Sequence, residues 1–271
     1  MGKGDYMKKL ITFMLMAFIM ANTIFAGGSK EVQTGDLLER IKDKGEITIA
    51  MEGTWAPWTY HDESDRLVGF DVEIGQAIAD KLGVKAAFVE GEWDGLLAGL
   101  EAGRYDIMIN GVDITPERAL KYDFSTPYAY NRTAVIVKED NDSISSMADL
   151  AGKKTANTIS STYAQVAESY GATVTPVDDL VQTFELLIAG RIDATLNAEV
   201  TYYDYKKAHP NAAIKIACID PQTTSVAIPM RKDDDSASLR AAVDKAVNEL
   251  LEDGTISALS MKYFGGDITK N

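Results

Sequence analysis

Asp113 and Arg118 stand five residues apart in the stretch Tyr105 to Tyr128, and they are the strongest candidates for chemistry in this chain. A guanidinium is a planar fork that matches a carboxylate with two parallel hydrogen bonds, a contact worth about 1.5–3 kcal/mol where water is excluded. A carboxylate and the open carbonyls of a turn have the opposite preference, for a cation. A free α-amino acid carries both charges, so this pairing suits capture of a small zwitterion. The alternative is a surface arginine paired with Glu117 or Asp123. Local signals say how the pair is held: an apolar strand (Ile107, Met108, Ile109) breaks at Asn110-Gly111, Thr115 is an N-cap, Pro116 takes the first helical position and Glu117 the first turn.

Other reactive constellations are scarce. His61 and His209 lie among polar loop residues and Cys218 is the single cysteine, which leaves no metal-ligand spacing and no internal disulfide. Neither a metal nor a cofactor is expected. No Ser/His/Asp or Cys/His set is present, and Glu52, Asp113 or Glu199 remain as possible general acids in a dry cleft. The segment EGTWAPWTY places two tryptophans and a tyrosine after a strand, and Gly53 and Pro57 predict that it is irregular. It reads either as a plug over a domain edge or as a wall against which a ligand lies.

Composition sets the frame for these residues. The chain has 271 residues, 46% hydrophobic and 25% charged, enough to bury one or two cores. Lys8-Lys9 precede an apolar run from Leu10 to Met20 that gives way to small and polar residues, the pattern of a signal peptide over residues 1–26. Its removal leaves 24 basic and 40 acidic side chains, a net charge of −16. Such a surface repels nucleic acid and anionic lipid, so no nucleic-acid role is expected.

From Thr34 onward helix and strand alternate. A short amphipathic helix over residues 35–43 stops at Gly45, Glu46 to Met51 form a strand, and a helix runs from about Asp71 to Leu82. The strand Val84 to Val89, the helix in GEWDGLLAGLEAG and the strand at Ile107 complete a βαβαβ run, which predicts a mostly parallel sheet flanked by helices. Residues 132–138 form a further strand, and the same grammar then restarts. Ala102-Gly103-Arg104-Tyr105-Asp106 is echoed by Ala189-Gly190-Arg191-Ile192-Asp193, and each is followed by a strand ending in asparagine, Asn110 or Asn197. Two lobes of like construction follow, with the strand ends meeting across a cleft, where open α/β sheets bind ligands. Strands are expected near Ala213 to Ala217 and Thr224 to Ile228, then two helices that pack back on the first lobe. Lobe 1 is thus 27–131 with 229–271, and lobe 2 is 132–228. The two crossing strands form the hinge.

GFDVEIGQAIADKL (69–82) resembles the signature of the family 3 extracellular solute-binding proteins. EGTWAPWTYHD, EWDGLLAGLEAGRYD, INGVDITPERALKYDFSTPY and YFGGDITK are similar to the cystine-binding members in particular. The resemblance implies a two-lobed α/β fold of the type II periplasmic-binding-protein kind with two hinge strands. It implies a cleaved signal peptide, a periplasmic monomer, a polar amino-acid ligand with cystine a leading candidate, and an inner-membrane ABC permease as partner. Residue by residue, it assigns the ligand α-carboxylate to Arg118 and to amides at Ser161, Thr162 and Tyr163. Trp55 and Trp93 line the side-chain pocket with Glu52 at its edge, Asn110, Gly111 and Asp113 serve the ammonium, and Thr158 faces the cleft. Many relatives carry an ammonium-binding aspartate where this chain has Ala198; Asp113 and then Glu199 are the candidate replacements. The same fold also carries periplasmic dehydratases of prephenate-like acids, which is the catalytic alternative.

Overall fold

The computed structural model describes residues 35–270, and the expected leader lies outside them. Asp36 caps the first helix, Leu37–Lys44, in a reciprocal capping box with Glu39, and Gly45 in the left-handed region ends it. The strand Glu46–Met51 follows and is the middle of a three-stranded parallel sheet. One neighbour is Lys85–Glu90, in register from Glu46↔Lys85 to Met51↔Glu90. The other is Ile107–Met108, with Ile49 opposite Ile107. The helices Phe70–Leu82 and Trp93–Glu101 make the crossovers. Parallel neighbours joined by helices bury both faces, and Ile47, Ile49, Met51, Ile107 and Met108 are accordingly sealed from solvent.

A second group of strands is built around Ala129–Lys138, which pairs antiparallel with Ala194–Ala198 and with Ile214–Val226. Beside it, Lys154–Asn157 and Thr173–Pro176 pair in parallel. The expectation of mostly parallel pairing therefore holds for the first sheet and only for this last pair in the second group. The reason is topological: Ala129–Lys138 leads the chain out and Ile214–Val226 leads it back, so the two must run in opposite directions. The returning strand is also continuous where two were expected. Register shifts between Ile216 and Cys218 and between Ile219 and Thr223 absorb Asp220-Pro221 as irregularities of one strand.

The repeated AGR-x-D segment has a physical basis. Asp106 donates its N–H to the carbonyl of Thr48 and accepts the Thr48 N–H on its carboxylate at 2.7 Å. Asp193 does the same to Lys154, with the carboxylate accepting at 2.8 Å. Each aspartate clips the start of its strand to an adjacent strand: Asp106 within the first sheet, Asp193 between Ala194–Ala198 and the separate pair that holds Lys154–Asn157.

EGTWAPWTY is more regular than its glycine and proline suggest. Thr54–Trp55 pairs with Thr59–His61, which pairs in turn with Leu67–Val68. The turn is closed by the Trp58 N–H donating to the Trp55 carbonyl at 2.9 Å. The last helices, Ala237–Glu252 and Thr255–Phe264, bury Leu239, Val243, Val247, Leu250 and Ile256 in a core shared with Ile41, Ile74 and Ile78. An ion pair of Lys81 with Glu249 ties the longer one to Phe70–Leu82, and one of Arg40 with Asp235 ties the turn just before it to Leu37–Lys44. No helix among the described residues is long and apolar enough to cross a membrane.

Candidate ligand-binding cleft

A cleft opens where the first sheet and the second group of strands present their strand ends and helix starts. Ten of the twelve residues singled out from the sequence line it: Glu52, Trp55, Trp93, Gly111, Asp113 and Arg118 from one side, Thr158, Ser161, Thr162 and Tyr163 from the other. Asn157, Asp179, Leu180, Thr183 and Asn197 complete the wall.

Arg118 is in the first turn of Pro116–Lys121, capped by Thr115, whose hydroxyl accepts the Arg118 N–H. Its guanidinium is buried and donates to two carbonyls, Asp113 at 3.1 Å and Ser160 at 3.2 Å, while the Trp93 ring lies 5.3 Å from its central carbon. Among the described residues no carboxylate comes within ion-pair distance of it. Burial pulls this group below the ordinary arginine range, opposed by the nearby Asp113 charge. A buried cation served by carbonyls alone still favours an anion.

The opposite side supplies the second half of an anion site. Ser161 caps the helix Thr162–Ser169 by accepting the Ala164 N–H, and its own N–H and hydroxyl both go to the Thr158 carbonyl. The amide assigned to Ser161 is thus already used. Thr162 and Tyr163, at the first two helical positions, have no carbonyl a turn behind them and keep their N–H groups available. The Tyr163 ring is fixed from behind by Asn131, whose amide donates to its hydroxyl at 2.9 Å.

Asp113 is buried between the two sides. One oxygen accepts from the Thr162 hydroxyl at 2.5 Å and the other from Thr224 at 2.6 Å. Burial raises its pKa, and the two hydroxyls and Arg118 pull against that rise. Asp71, outside the cleft, accepts the Gly111 N–H at 2.6 Å and the Tyr128 hydroxyl at 2.8 Å, and burial pushes its pKa up to about 7. It fixes the Gly111 turn from below. Gly111 has φ +54, and a Cβ there would come within 2.6 Å of the Trp55 ring. Only glycine lets that indole lie on the turn.

Trp55 stacks on fully buried Trp58 with centroids 5.3 Å apart, so its ring is held flat as a wall. Its N–H crosses the cleft to Asn197 at 3.2 Å. Two residues stand apart from the lining. Asn110 lies behind it, accepting the Glu52 N–H at 2.8 Å and donating to the Glu52 carboxylate at 2.7 Å. Glu199 is placed elsewhere: it opens the helix Glu199–Ala208 and pairs with Arg132 at 2.5 Å, which turns its charge away from the cleft. Glu52 itself is largely buried; desolvation, with Asp179 and Asp94 adding to it, raises its pKa to about 7 while Asn110 opposes.

Sequence reasoning did not select Asn157, Asp179, Leu180 or Thr183. Asp179 had a signal, since an aspartate three residues before Gln182 is an N-cap, and its carboxylate does accept the Gln182 N–H. Asn157 had none.

Two α/β halves, a cleft between strand ends, a buried guanidinium and free helix-start amides together define a small-solute-binding protein of the type II periplasmic-binding-protein fold. The profile of the bacterial extracellular solute-binding proteins, family 3, matches residues 47–266, and the chain belongs to that family. It is 38% identical over 271 residues to the L-cystine-binding protein TcyA of Bacillus subtilis (strain 168), covering 97% of this chain and all of that protein. Among solved structures, it is similar to an ancestral arginine-binding protein bound to arginine (TM-score 0.76, 37% identity, 82% of this chain and 99% of that one). It is also similar to the L-cystine solute receptor of Neisseria gonorrhoeae in its unliganded open conformation (TM-score 0.59, 42% identity, 88% and 100%).

Proposed function

We propose that this chain is the substrate-binding component of an ABC importer and closes its two lobes on a polar α-amino acid. The observation that carries the reading is the buried Arg118 guanidinium, without a carboxylate partner among the described residues, lining one cleft with the free amides of Thr162 and Tyr163. The α-carboxylate goes to that pair. The α-ammonium goes to Asp113 and the Gly111 carbonyl, so that Asp113 takes over from the aspartate that Ala198 lacks. The side chain lies against Trp55 and Trp93.

The lobes are assigned as 36–131 with 229–270 and 132–228. Besides the contacts along the hinge strands and the bonds of Thr224 to Asp113 and of Asn131 to Tyr163, contacts across the cleft include Arg118 to the Ser160 carbonyl, Thr162 to Asp113, Trp55 to Asn197, and Asp94 accepting both the N–H and the hydroxyl of Ser160. They favour a closed arrangement. The higher TM-score with the arginine-bound structure than with the unliganded open receptor, despite the latter's greater identity, agrees with this. Cystine and arginine are the leading ligand candidates, from the relatives' own ligands. We further assign the chain to the periplasm, as an exported monomer with its leader removed, handing its ligand to a membrane permease without metal or cofactor.

Isothermal calorimetry over the common L-amino acids and L-cystine tests the reading. Micromolar or tighter binding, at least about −8 kcal/mol, of one or a few of them is expected; no binding of any of them refutes it. Glu52, with its pKa near 7 inside the cleft, is what favours a dehydratase-like second reading. Turnover of a bound compound would establish that one instead.

A further inference from the structure

The zwitterion clamp accounts for Arg118, Asp113, Gly111 and the two helix-start amides. It leaves the rest of the cleft wall unexplained, and that remainder has a one-sided chemistry. Glu52 presents a carboxylate from the end of the first strand. Across from it, Asp179 caps the helix Leu180–Ile188, near enough for its charge to act on Glu52. Thr183 offers no donor, because its hydroxyl bonds the Asp179 carbonyl at 3.1 Å.

Asn157 is the independent observation. It lines the cleft at 3% exposure, and its amide nitrogen donates to the Leu196 carbonyl at 2.8 Å. That bond fixes the orientation of the amide, since the reverse would set two oxygens against each other. Its Oδ1 is then a buried acceptor that meets no donor of the protein. Buried acceptors are nearly always satisfied, and one on a binding wall points to a donor carried by the ligand.

We propose that Asn157 and Asp179, with Glu52 opposite, form a distal subsite that receives a cationic nitrogen group at the far end of the bound ligand. This rests on the reading of the cleft as an amino-acid site and deepens it. The shared chemistry is a charged N–H donor, which either the second α-ammonium of a disulfide-linked dimer such as L-cystine or the side chain of a basic amino acid supplies. Because Glu52 and Asp179 come from opposite lobes, the cation also draws the lobes together, so this subsite contributes to closure as well as to selectivity.

Paired ligands test the subsite: L-lysine against L-norleucine, and L-cystine against S-methylthio-L-cysteine, each pair sharing the α-amino-acid end and the linker and differing in the distal group. The full mature protein is expected to bind one nitrogen-bearing ligand at least tenfold more tightly than its counterpart. Asp179→Asn keeps the helix cap, because asparagine caps as well as aspartate. It should weaken the nitrogen-bearing ligand about tenfold and change its counterpart less than twofold. Asn157→Val is expected to act in the same sense, and Asp179→Asn decides the matter should that variant fail to fold. Equal binding within both pairs, or an equal loss for both members in Asp179→Asn, overturns the subsite while leaving the zwitterion clamp standing. Failure to bind any amino acid removes the clamp and the subsite with it. A preference for lysine alone identifies a basic side chain as the occupant, and a preference for cystine alone identifies the dimer.

Discussion

Thr162→Val removes one of the hydrogen bonds that join the two sides of the cleft. The hydroxyl donates to the buried Asp113 carboxylate at 2.5 Å, and valine keeps the shape of threonine while removing the donor. The amide at position 162 stays, so the anion site is untouched. A hydrogen bond to a charged acceptor contributes about 1.5–3 kcal/mol, and under the proposed two-lobe closure this one forms as the lobes close. Ligand binds the closed form, so the whole loss falls on the closing equilibrium and on apparent affinity. At 1.4 kcal/mol per tenfold, the dissociation constant should rise about 12-fold to 150-fold. Calorimetry gives that number, and stopped-flow fluorescence of the cleft tryptophans should show the rise mainly in the dissociation rate. The thermal midpoint without ligand should change little, because Asp113 retains Thr224 at 2.6 Å. An affinity within twofold of the parent would refute the view that this bond helps to hold the closed form.

Glu52→Gln should reveal the cost of burying a carboxylate. The pKa of Glu52 rises on folding from 4.5 to about 7, so between those values the folded state holds the proton more firmly than the unfolded state does. Stability of the parent relative to the variant should therefore fall as pH rises from about 4.5 to 7 and level off above, as read from thermal midpoints; a flat difference contradicts the burial. Gly111→Ala puts a Cβ 2.6 Å from the Trp55 ring at φ +54, and should weaken ligand binding by tenfold or more and lower stability by about 1–3 kcal/mol. Asp94→Ala removes an exposed carboxylate that accepts two bonds from Ser160, and should weaken binding by about 1 kcal/mol or less. Small-angle scattering with and without ligand should show a more open unliganded form in that variant.

The first half of the fold was legible because its signals are local and agree with one another. Asp36 with Glu39, Thr115 with Pro116, and the glycines after each helix mark boundaries that the structure keeps within a residue or two. Pairing direction was not legible in the second half. Nothing in the apolar run at 132–138 says that its partners arrive from residues 194–198 and 214–226 in the opposite sense, since direction follows from where the chain must return. The same limit applies at the cleft. Arg118 and Asp113 could be picked out because buried charge near a turn has few other uses, and Gly111 because a turn needs it. Asp71 could not: its carboxylate acts at a distance of 40 residues, holding the Gly111 turn from beneath. Asn157 carries no local mark either, because its significance lies in one oxygen left over after its amide bonds Leu196. Glu199 shows the converse error, a charge next to the right position that a helix start directs to Arg132.

The central claim is that Arg118 holds a ligand α-carboxylate, and a two-by-two titration tests it most directly. The tightest-binding amino acid and its α-carboxamide are each titrated into the parent and into Arg118→Gln. A buried charge pair lost on one side costs about 2–5 kcal/mol, so amidation should weaken binding at least 30-fold in the parent and less than threefold in the variant. If amidation weakens both proteins equally, the guanidinium and the carboxylate do not meet, and the account is wrong.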